Sequence, residues 1–274
     1  MITYTLSTIT LYPVKSLAGI TVTRWPVSKT GLLYDRKWML IDSSGHFLSQ
    51  RSLPRMALIN TALVNDTLVL SAPGMSHLTL SLNPISEQTL TAHIWNDFCV
   101  AQAVSTEADQ WFSDFLTTDC RLVYQNDTSP RPIDPAYANA RDQVSFADGF
   151  PFLIISENSL VSLNNAMQLN FPMSRFRPNL VIAGCPEYAE DSWRNIRIGH
   201  IDFRLPKPCS RCSVPTIDPV TAKTGKEPLQ TLNRLRKWHN KVYFGQNALH
   251  DQAGELAVGD TVIIKQLGEN QPPL

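Results

Sequence analysis

Short runs in which apolar and polar residues alternate dominate the first hundred positions of the chain, and turn-forming residues end each run. Met39-Leu40-Ile41 and Phe47-Leu48 flank Asp42-Ser43-Ser44-Gly45, and Ala62-Leu63-Val64 and Leu68-Val69-Leu70 flank Asn65-Asp66. Pro73-Gly74 precedes the run His77 to Leu82, and Asn96-Asp97 lies between Ala92-His93-Ile94-Trp95 and Phe98-Cys99-Val100. A period of two, broken by Asn, Asp or Gly, predicts antiparallel hairpins. Their density predicts a sheet that curls or closes, because closure removes exposed edges.

The period then changes. Ala108, Trp111, Phe112, Phe115 and Leu116 share one face at helical spacing, with Thr106 as the cap and Asp109 three residues on. Gln125 to Gln143 is rich in Asn, Asp and Pro and reads as a long connecting loop, of the kind that marks a boundary or an active-site element. Phe152 to Ile155 reads as a buried strand, followed by a helix capped by Ser156 and carrying Leu160, Leu163 and Met167. Asn179 to Ala183 predicts another strand, and Ile196-Arg197-Ile198 pairs with Ile201-Asp202-Phe203 across Gly199-His200. Pro228 opens a helix whose Leu229, Leu232, Leu235 and Trp238 face inward, and Val262 to Ile264 closes the chain after Gly259-Asp260. The expected fold class is mainly β with a few helices (α+β), in two β-rich domains, residues 1–120 and 121–268.

Composition narrows the function classes. The 274 residues are 43% apolar and hold 24 basic and 24 acidic side chains, so the net charge is zero. That leaves no footprint for wrapping nucleic acid or an anionic membrane, though a local basic cluster can still hold one anionic ligand. Met1 to Leu11 lacks the layout of a signal peptide, and no apolar stretch approaches the roughly 18 residues that span a bilayer. Five irregularly spaced cysteines do not form a disulfide framework. A soluble, cytoplasmic protein in a reducing compartment is expected.

Five places carry candidate chemistry. Lys15-Ser16, after Tyr12-Pro13-Val14, can hold a phosphate or carboxylate, although a solvated turn lysine is the better reading of the segment taken alone. In Tyr34-Asp35-Arg36-Lys37-Trp38 the plain reading of Arg36 is a local ion pair. Within Arg175-Phe176-Arg177-Pro178-Asn179, read as extended, Arg175, Arg177 and Asn179 share a face. Such an arrangement is costly without an anionic ligand or acidic partners. Pro208-Cys209-Ser210-Arg211-Cys212 admits a zinc pair, a redox dithiol, a single thiolate for a soft metal or an electrophile, and a core cysteine pair. Zinc wants further ligands, for which only Cys185, His200 or His239 are candidates, and a dithiol wants a βαβ setting. Pro206 and Pro208 place the motif on a loop. Tyr243-Phe244-Gly245-Gln246-Asn247 is either the lining of a polar pocket or a turn.

Taken in order, these segments resemble the two-domain MOSC proteins, which include the mitochondrial amidoxime-reducing components and bacterial proteins that detoxify N-hydroxylated bases. The resemblance runs from about Leu6 to Ile264. It also takes in Ser145-Phe146-Ala147-Asp148-Gly149 and Ala189-Glu190-Asp191-Ser192-Trp193. It implies an N-terminal MOSC β-barrel domain, then a MOSC-type barrel that binds a molybdenum cofactor (molybdopterin). Carried over, Cys212 is the metal ligand and catalytic centre. Lys15, Ser16, Arg36, Asp148, Gly149, Arg177, Asn179, Ser210 and Arg211 hold the cofactor, with Arg211 favouring the Cys212 thiolate. The activity implied is reduction of amidoximes, hydroxylamines or N-hydroxylated purines by oxygen abstraction. No cysteine follows Cys212, so the electrons are expected from a separate flavoprotein or ferredoxin-like partner. Two alternatives stand beside this: a sulfur carrier or transferase with a persulfide on Cys212, and a non-catalytic carrier of the cofactor.

Overall fold

The computed structural model describes residues 3–273; Met1, Ile2 and Leu274, which end the expected first run and the chain itself, lie outside them. The protein is mainly β, with three α-helices among the described residues. Seven strands close a barrel in the order Phe152–Ser156, Leu180–Ala183, Thr3–Leu11, Thr261–Leu267, Trp193–Ile198, Ile201–Ser210 and Lys241–His250, which returns to Phe152–Ser156. One neighbouring pair, Phe152–Ser156 with Leu180–Ala183, is parallel. A parallel pair needs a crossover, and the helix Glu157–Met167 provides it. Gly245 makes the closure feasible. Its φ is 78°, and a Cβ there would stand 2.6 Å from Ile155 and 2.9 Å from the Ile154 carbonyl oxygen.

The first strand matters most for the site. Thr3–Leu11 lies between strands from the far end of the chain, pairing Leu6 with Ile182 and Tyr4 with Val262. Its Leu6 and Ile9 pack with Phe152, Ile182, Ile196 and Phe203 in the barrel interior. Burying that apolar surface anchors residues 12–16 against the barrel rim. The hairpin expected at Gly199-His200 forms, with Ile198 opposite Ile201 and Arg197 bound to Asp202 at 2.8 Å.

Residues 38–124 build two smaller sheets instead of one closed surface. One holds Trp38–Ile41, Arg121–Tyr124, Asp97–Ala103 and Thr89–Ile94; the other holds Asn60–Val64, Thr67–Ser71 and Leu78–Ser81. The helix Thr106–Leu116 covers them, its buried Phe112 and Phe115 clustering with Trp38, Leu68, Leu78 and Leu122. A helix packed on sheet faces buries their apolar sides without ring closure. Ser105, one residue before the expected Thr106, caps this helix by accepting from the Ala108 N–H at 3.1 Å. Asp109 turns away and accepts from the Leu122 N–H at 2.7 Å.

Other expectations shift in informative ways. The turn after Ile94 is Trp95-Asn96, not Asn96-Asp97, since Asp97 pairs with Ile94 and is held by buried Arg131 at 2.8 Å. Pro206 and Pro208 lie inside the strand Ile201–Ser210, not on a loop; the register slips there, as proline in a sheet requires. The last helix, Leu229–Leu235, buries Leu232 and exposes Leu235, and Trp238 falls beyond it on an exposed two-residue strand. The presumed loop 125–143 ends in a short pairing of Arg131–Pro132 with Gln143–Val144.

The Ala189–Ser192 turn is scaffold. Glu190, fully buried, accepts from the Ser156 N–H at 3.1 Å and the Ser159 hydroxyl at 2.8 Å. It therefore satisfies the start of Glu157–Met167, which the Ser156 side chain leaves uncapped. Asp191 receives Arg236 and, at 2.8 Å, Gln246. Burial pushes the Glu190 carboxyl up from 4.5 to about 7. The native chain then keeps this proton over a pH range in which the unfolded chain has released it, so stability falls as pH rises from about 4.5 to 7. Glu190→Gln needs no proton, and wild type should lose roughly 2–3 kcal/mol relative to it across that range in denaturant titrations. Parallel pH dependence of the two proteins would refute this reading.

Candidate functional site

Beyond Leu11 the chain leaves the barrel and sets Lys15 against Trp38, its N–H donating to the Trp38 carbonyl at 2.8 Å. The Lys15 ammonium, with the residue 6% exposed, donates to the Phe146 carbonyl at 2.8 Å and to Asp148 Oδ1 at 2.6 Å. Burial lowers the Lys15 pKa, and Asp148 opposes that shift. Burial alone would raise the Asp148 carboxyl, yet Lys15 holds it well below the usual carboxylate range. The Asp148 side chain is itself 63% exposed, so it stands ionised at the mouth, partly screened by solvent. Arg131 braces the segment beneath, donating to the carbonyls of Ser145 at 3.0 Å, Ala147 at 2.5 Å and Asp148 at 3.2 Å.

Two further cations rest on one ring. The guanidiniums of Arg36 and Arg177 lie 4.3 and 4.2 Å from the centroid of Tyr12. Tyr12 is fixed at both ends, its hydroxyl donating to the Pro178 carbonyl at 3.0 Å and its N–H to Asp35 Oδ1 at 2.7 Å. Asp35, buried, also takes Arg36 Nη1 at 2.5 Å. The expected local ion pair is thus real, and it aims Arg36 inward. Asn179 ties the set together, accepting from Arg36 at 3.1 Å and from the Leu153 N–H at 3.2 Å and donating to the Thr10 carbonyl at 3.2 Å. Arg177 donates to the Leu17 carbonyl at 2.6 Å. Burial brings its pKa down to about 10, still cationic at neutral pH. Burial likewise pushes the Tyr12 hydroxyl up to about 12.

The segment 175–179 is not extended. Met173–Arg175 is a short 3-10 turn and Arg177 has φ 57°, so Arg175 points away to Asp218 at 2.6 Å while Arg177 and Asn179 face the cavity.

The opposite wall follows the strand Ile201–Ser210. Ser210 pairs with Tyr243, and the Arg211 N–H donates to the Val242 carbonyl at 2.8 Å. The Arg211 guanidinium turns to Cys209 Sγ, 3.1 Å away, and to the Phe176 carbonyl at 2.7 Å, while its buried Nε has no hydrogen-bond partner. Burial raises the Cys209 thiol, against the pull of Arg211. Cys212 is exposed, and the cation beside it is Arg51, whose Nη1 is 3.8 Å from Cys212 Sγ. Arg51, from the first half of the chain, therefore stands beside the sulfur where Arg211 was expected, since Arg211 is turned to Cys209. Among the described residues no three His, Cys, Asp or Glu side chains converge as metal ligands, and Cys185 is buried in the barrel core.

Lys15, Ser16, Arg36, Asp148, Gly149, Arg177, Asn179, Ser210, Arg211 and Cys212 all line one cavity of about 150 Å³. Phe47, Ser49, Arg51 and Asn247 line it too. Of the FGQN segment only Asn247 reaches it; Gln246 is bound to Asp191. A larger cleft of about 660 Å³ shares Arg177 and Val214 with this cavity but lacks Cys212 and Lys15, so the reactive side chains concentrate in the smaller one. Among the described residues neither Arg51, Arg177 nor Arg211 is in an ion pair. Positive charge in excess, an unpartnered buried N–H and an open thiol fit an anionic ligand carrying a thiophilic centre. The chemistry of Tyr12, Arg51 and Arg131 was invisible in sequence, since each is an ordinary residue until the fold supplies its partner.

Comparison with known proteins gives the family. Residues 3–119 match the MOSC N-terminal beta barrel domain and residues 141–263 the MOSC domain. Mitochondrial amidoxime-reducing component 1 of Mus musculus is 34% identical over 95% of this chain and 82% of its own. Mitochondrial amidoxime reducing component 2 of Bos taurus is 33% identical over 94% and 82%. Molybdenum cofactor sulfurase of Danio rerio is 32% identical over 95% of this chain but only 34% of its own.

The charge excess predicts that phosphate stabilises the protein. At about 10 mM phosphate and constant ionic strength, a gain of roughly 1 kcal/mol, or about 1–3 °C in Tm, is expected. Arg177→Gln should remove most of that gain in a thermal melt; an equal gain in both proteins would place the anion elsewhere.

Proposed function

The chain belongs to the MOSC proteins, and on that premise we propose that it is a molybdenum-cofactor-dependent reductase of N-hydroxylated compounds, with Cys212 holding the metal. The observation that carries this is the convergence of Lys15, Arg36, Arg177 and Arg211 on the cavity at whose mouth the Cys212 thiol is exposed. A molybdopterin bears a phosphate and polar ring edges, which suit a set of cations and amides. Lys15, Ser16, Arg36, Arg177, Asn179, Ser210 and Arg211 would hold those parts, with Asp148 and Gly149 at the edge. When bound, the cofactor supplies a metal that takes up oxygen and passes on two electrons.

The net reaction is R–N–OH plus two electrons and two protons giving R–N–H and water. The chain's own part in it is positional. Tyr12 and Asn179 fix two guanidiniums in place, so no reorganisation is needed when charge changes nearby. Asp148, ionised, acts as an acceptor and not as an acid. Exposure of Cys212 leaves the centre open to a small substrate and to a separate electron-donor protein, flavoprotein or ferredoxin-like.

The sulfurase relative gives a second reading, persulfide transfer from Cys212. It requires a nucleophilic thiol and, since that relative is named for the molybdenum cofactor, would use the same cations, but this chain spans only 34% of that relative. A cofactor carrier would use every binding residue yet show no turnover.

Cofactor-loaded protein, supplied with a reduced viologen dye and an amidoxime, should turn over many times, and Cys212→Ser should fall by at least ~100-fold while remaining folded. Absence of turnover in loaded wild type would favour the carrier, and undiminished turnover in Cys212→Ser would remove the metal from that residue.

A further inference from the structure

The hairpin Thr89–Ile94 and Asp97–Ala103 ends in a strained tryptophan. Trp95 has φ 57°, a left-handed conformation that is a genuine outlier for a bulky residue. The two-residue turn Trp95-Asn96 requires that conformation at its first position, so the backbone is set by the hairpin and the side chain by its neighbours. Here the neighbours are those of the candidate site. The Trp95 indole N–H donates to Asp148 Oδ1 at 3.2 Å, and the ring meets Phe47 edge-on at 5.3 Å. Arg51 lies over Trp95 at 4.5 Å and over Phe47 at 5.4 Å, and its Nη1 is 3.8 Å from Cys212 Sγ. Trp95 nonetheless remains 54% exposed. An exposed aromatic tethered to a reactive mouth, instead of folded into the core beneath it, presents an open stacking face.

We propose that Trp95, with Arg51 and Phe47, forms a stacking subsite beside Cys212 that selects flat, π-conjugated N-hydroxylated substrates over aliphatic ones. The inference rests on the reductase reading above. Trp95 supplies an apolar face of the size of an aromatic ring, and Arg51 supplies a planar cation that stacks and donates hydrogen bonds to the substrate's nitrogen and oxygen acceptors. Both come from the first half of the chain, so the half that does not carry the metal ligand chooses what reaches it. The guanidiniums of Arg36 and Arg177 are fixed by Tyr12, Asp35 and Asn179 instead, and Trp95 meets the Lys15–Asp148 pair only through its indole N–H.

The test uses the cofactor-loaded protein with two neutral probes, benzamidoxime and acetamidoxime. Without reductant, calorimetric titration reads binding alone. Wild type should bind benzamidoxime at least ~10-fold more tightly than acetamidoxime, the range expected of one aromatic stack. Trp95→Ala should remove that preference, chiefly by weakening benzamidoxime, and Trp95→Phe should restore most of it. With reduced viologen, the same loss should appear in KM for benzamidoxime, with acetamidoxime changed less than about twofold. Equal binding of both probes by wild type, or a preference untouched in Trp95→Ala, would overturn the subsite. Equal losses for both probes would also overturn it, as the mark of a merely structural residue. The reductase reading fails separately, if loaded wild type binds benzamidoxime with the expected preference but never turns it over.

Discussion

Holding Lys15, Arg36 and Arg177 around one small desolvated cavity is the constraint on which the rest of this structure depends. Two like charges about 5 Å apart repel by roughly 3 kcal/mol at the effective dielectric of a protein surface. Several devices offset that repulsion. Asp35 neutralises Arg36, Asp148 neutralises Lys15, and the Tyr12 ring accepts both guanidiniums on its electron-rich faces. Backbone carbonyls of Leu17 and Phe146 take one further donor each, from Arg177 and Lys15. What is left over is a net positive field, with no counter-ion for Arg177 or Arg211 among the described residues, which an anionic cofactor would complete.

The barrel makes that assembly rigid. Because Thr3–Leu11 is a central barrel strand, the segment carrying Tyr12, Lys15 and Ser16 enters the site from the same sheet as Asn179, which follows the strand register through the Thr10 and Leu153 hydrogen bonds. Ser210 to Cys212 leave the same barrel at the end of Ile201–Ser210. The small sheets of residues 38–124 then close over the mouth with Arg51 and Trp95. Cys212 and the Arg51–Trp95 pair beside it thus come from different parts of the chain.

Much of this was legible from pattern. Hairpins at Asn65-Asp66 and Gly199-His200, the strands Phe152–Ser156 and Leu180–Ala183, and the amphipathic helix ending at Leu116 follow from local periodicity and turn chemistry. The lining residues were legible as a constellation, although none was persuasive alone. Features set by partners distant in sequence were not. Arg131 reads as a loop residue until its carbonyl partners appear, and Trp95 reads as the end of a strand until Asp97 is claimed by Arg131 and shifts the turn. Prolines at 206 and 208 argue for a loop because a slipped register cannot be seen in a single strand's sequence. Arg211 stands next to Cys212 in the chain yet serves Cys209, since side chains on consecutive residues leave the backbone in different directions.

The central claim is that these cations and Cys212 together hold a molybdenum cofactor. Its most direct test is the metal and pterin content of wild type and Cys212→Ser, both purified from a host able to make molybdenum cofactor. Near-stoichiometric molybdenum and pterin are expected in wild type, with loss of the metal in the variant. Folded wild type without molybdenum, bearing a reactive persulfide on Cys212, would contradict it and favour sulfur transfer.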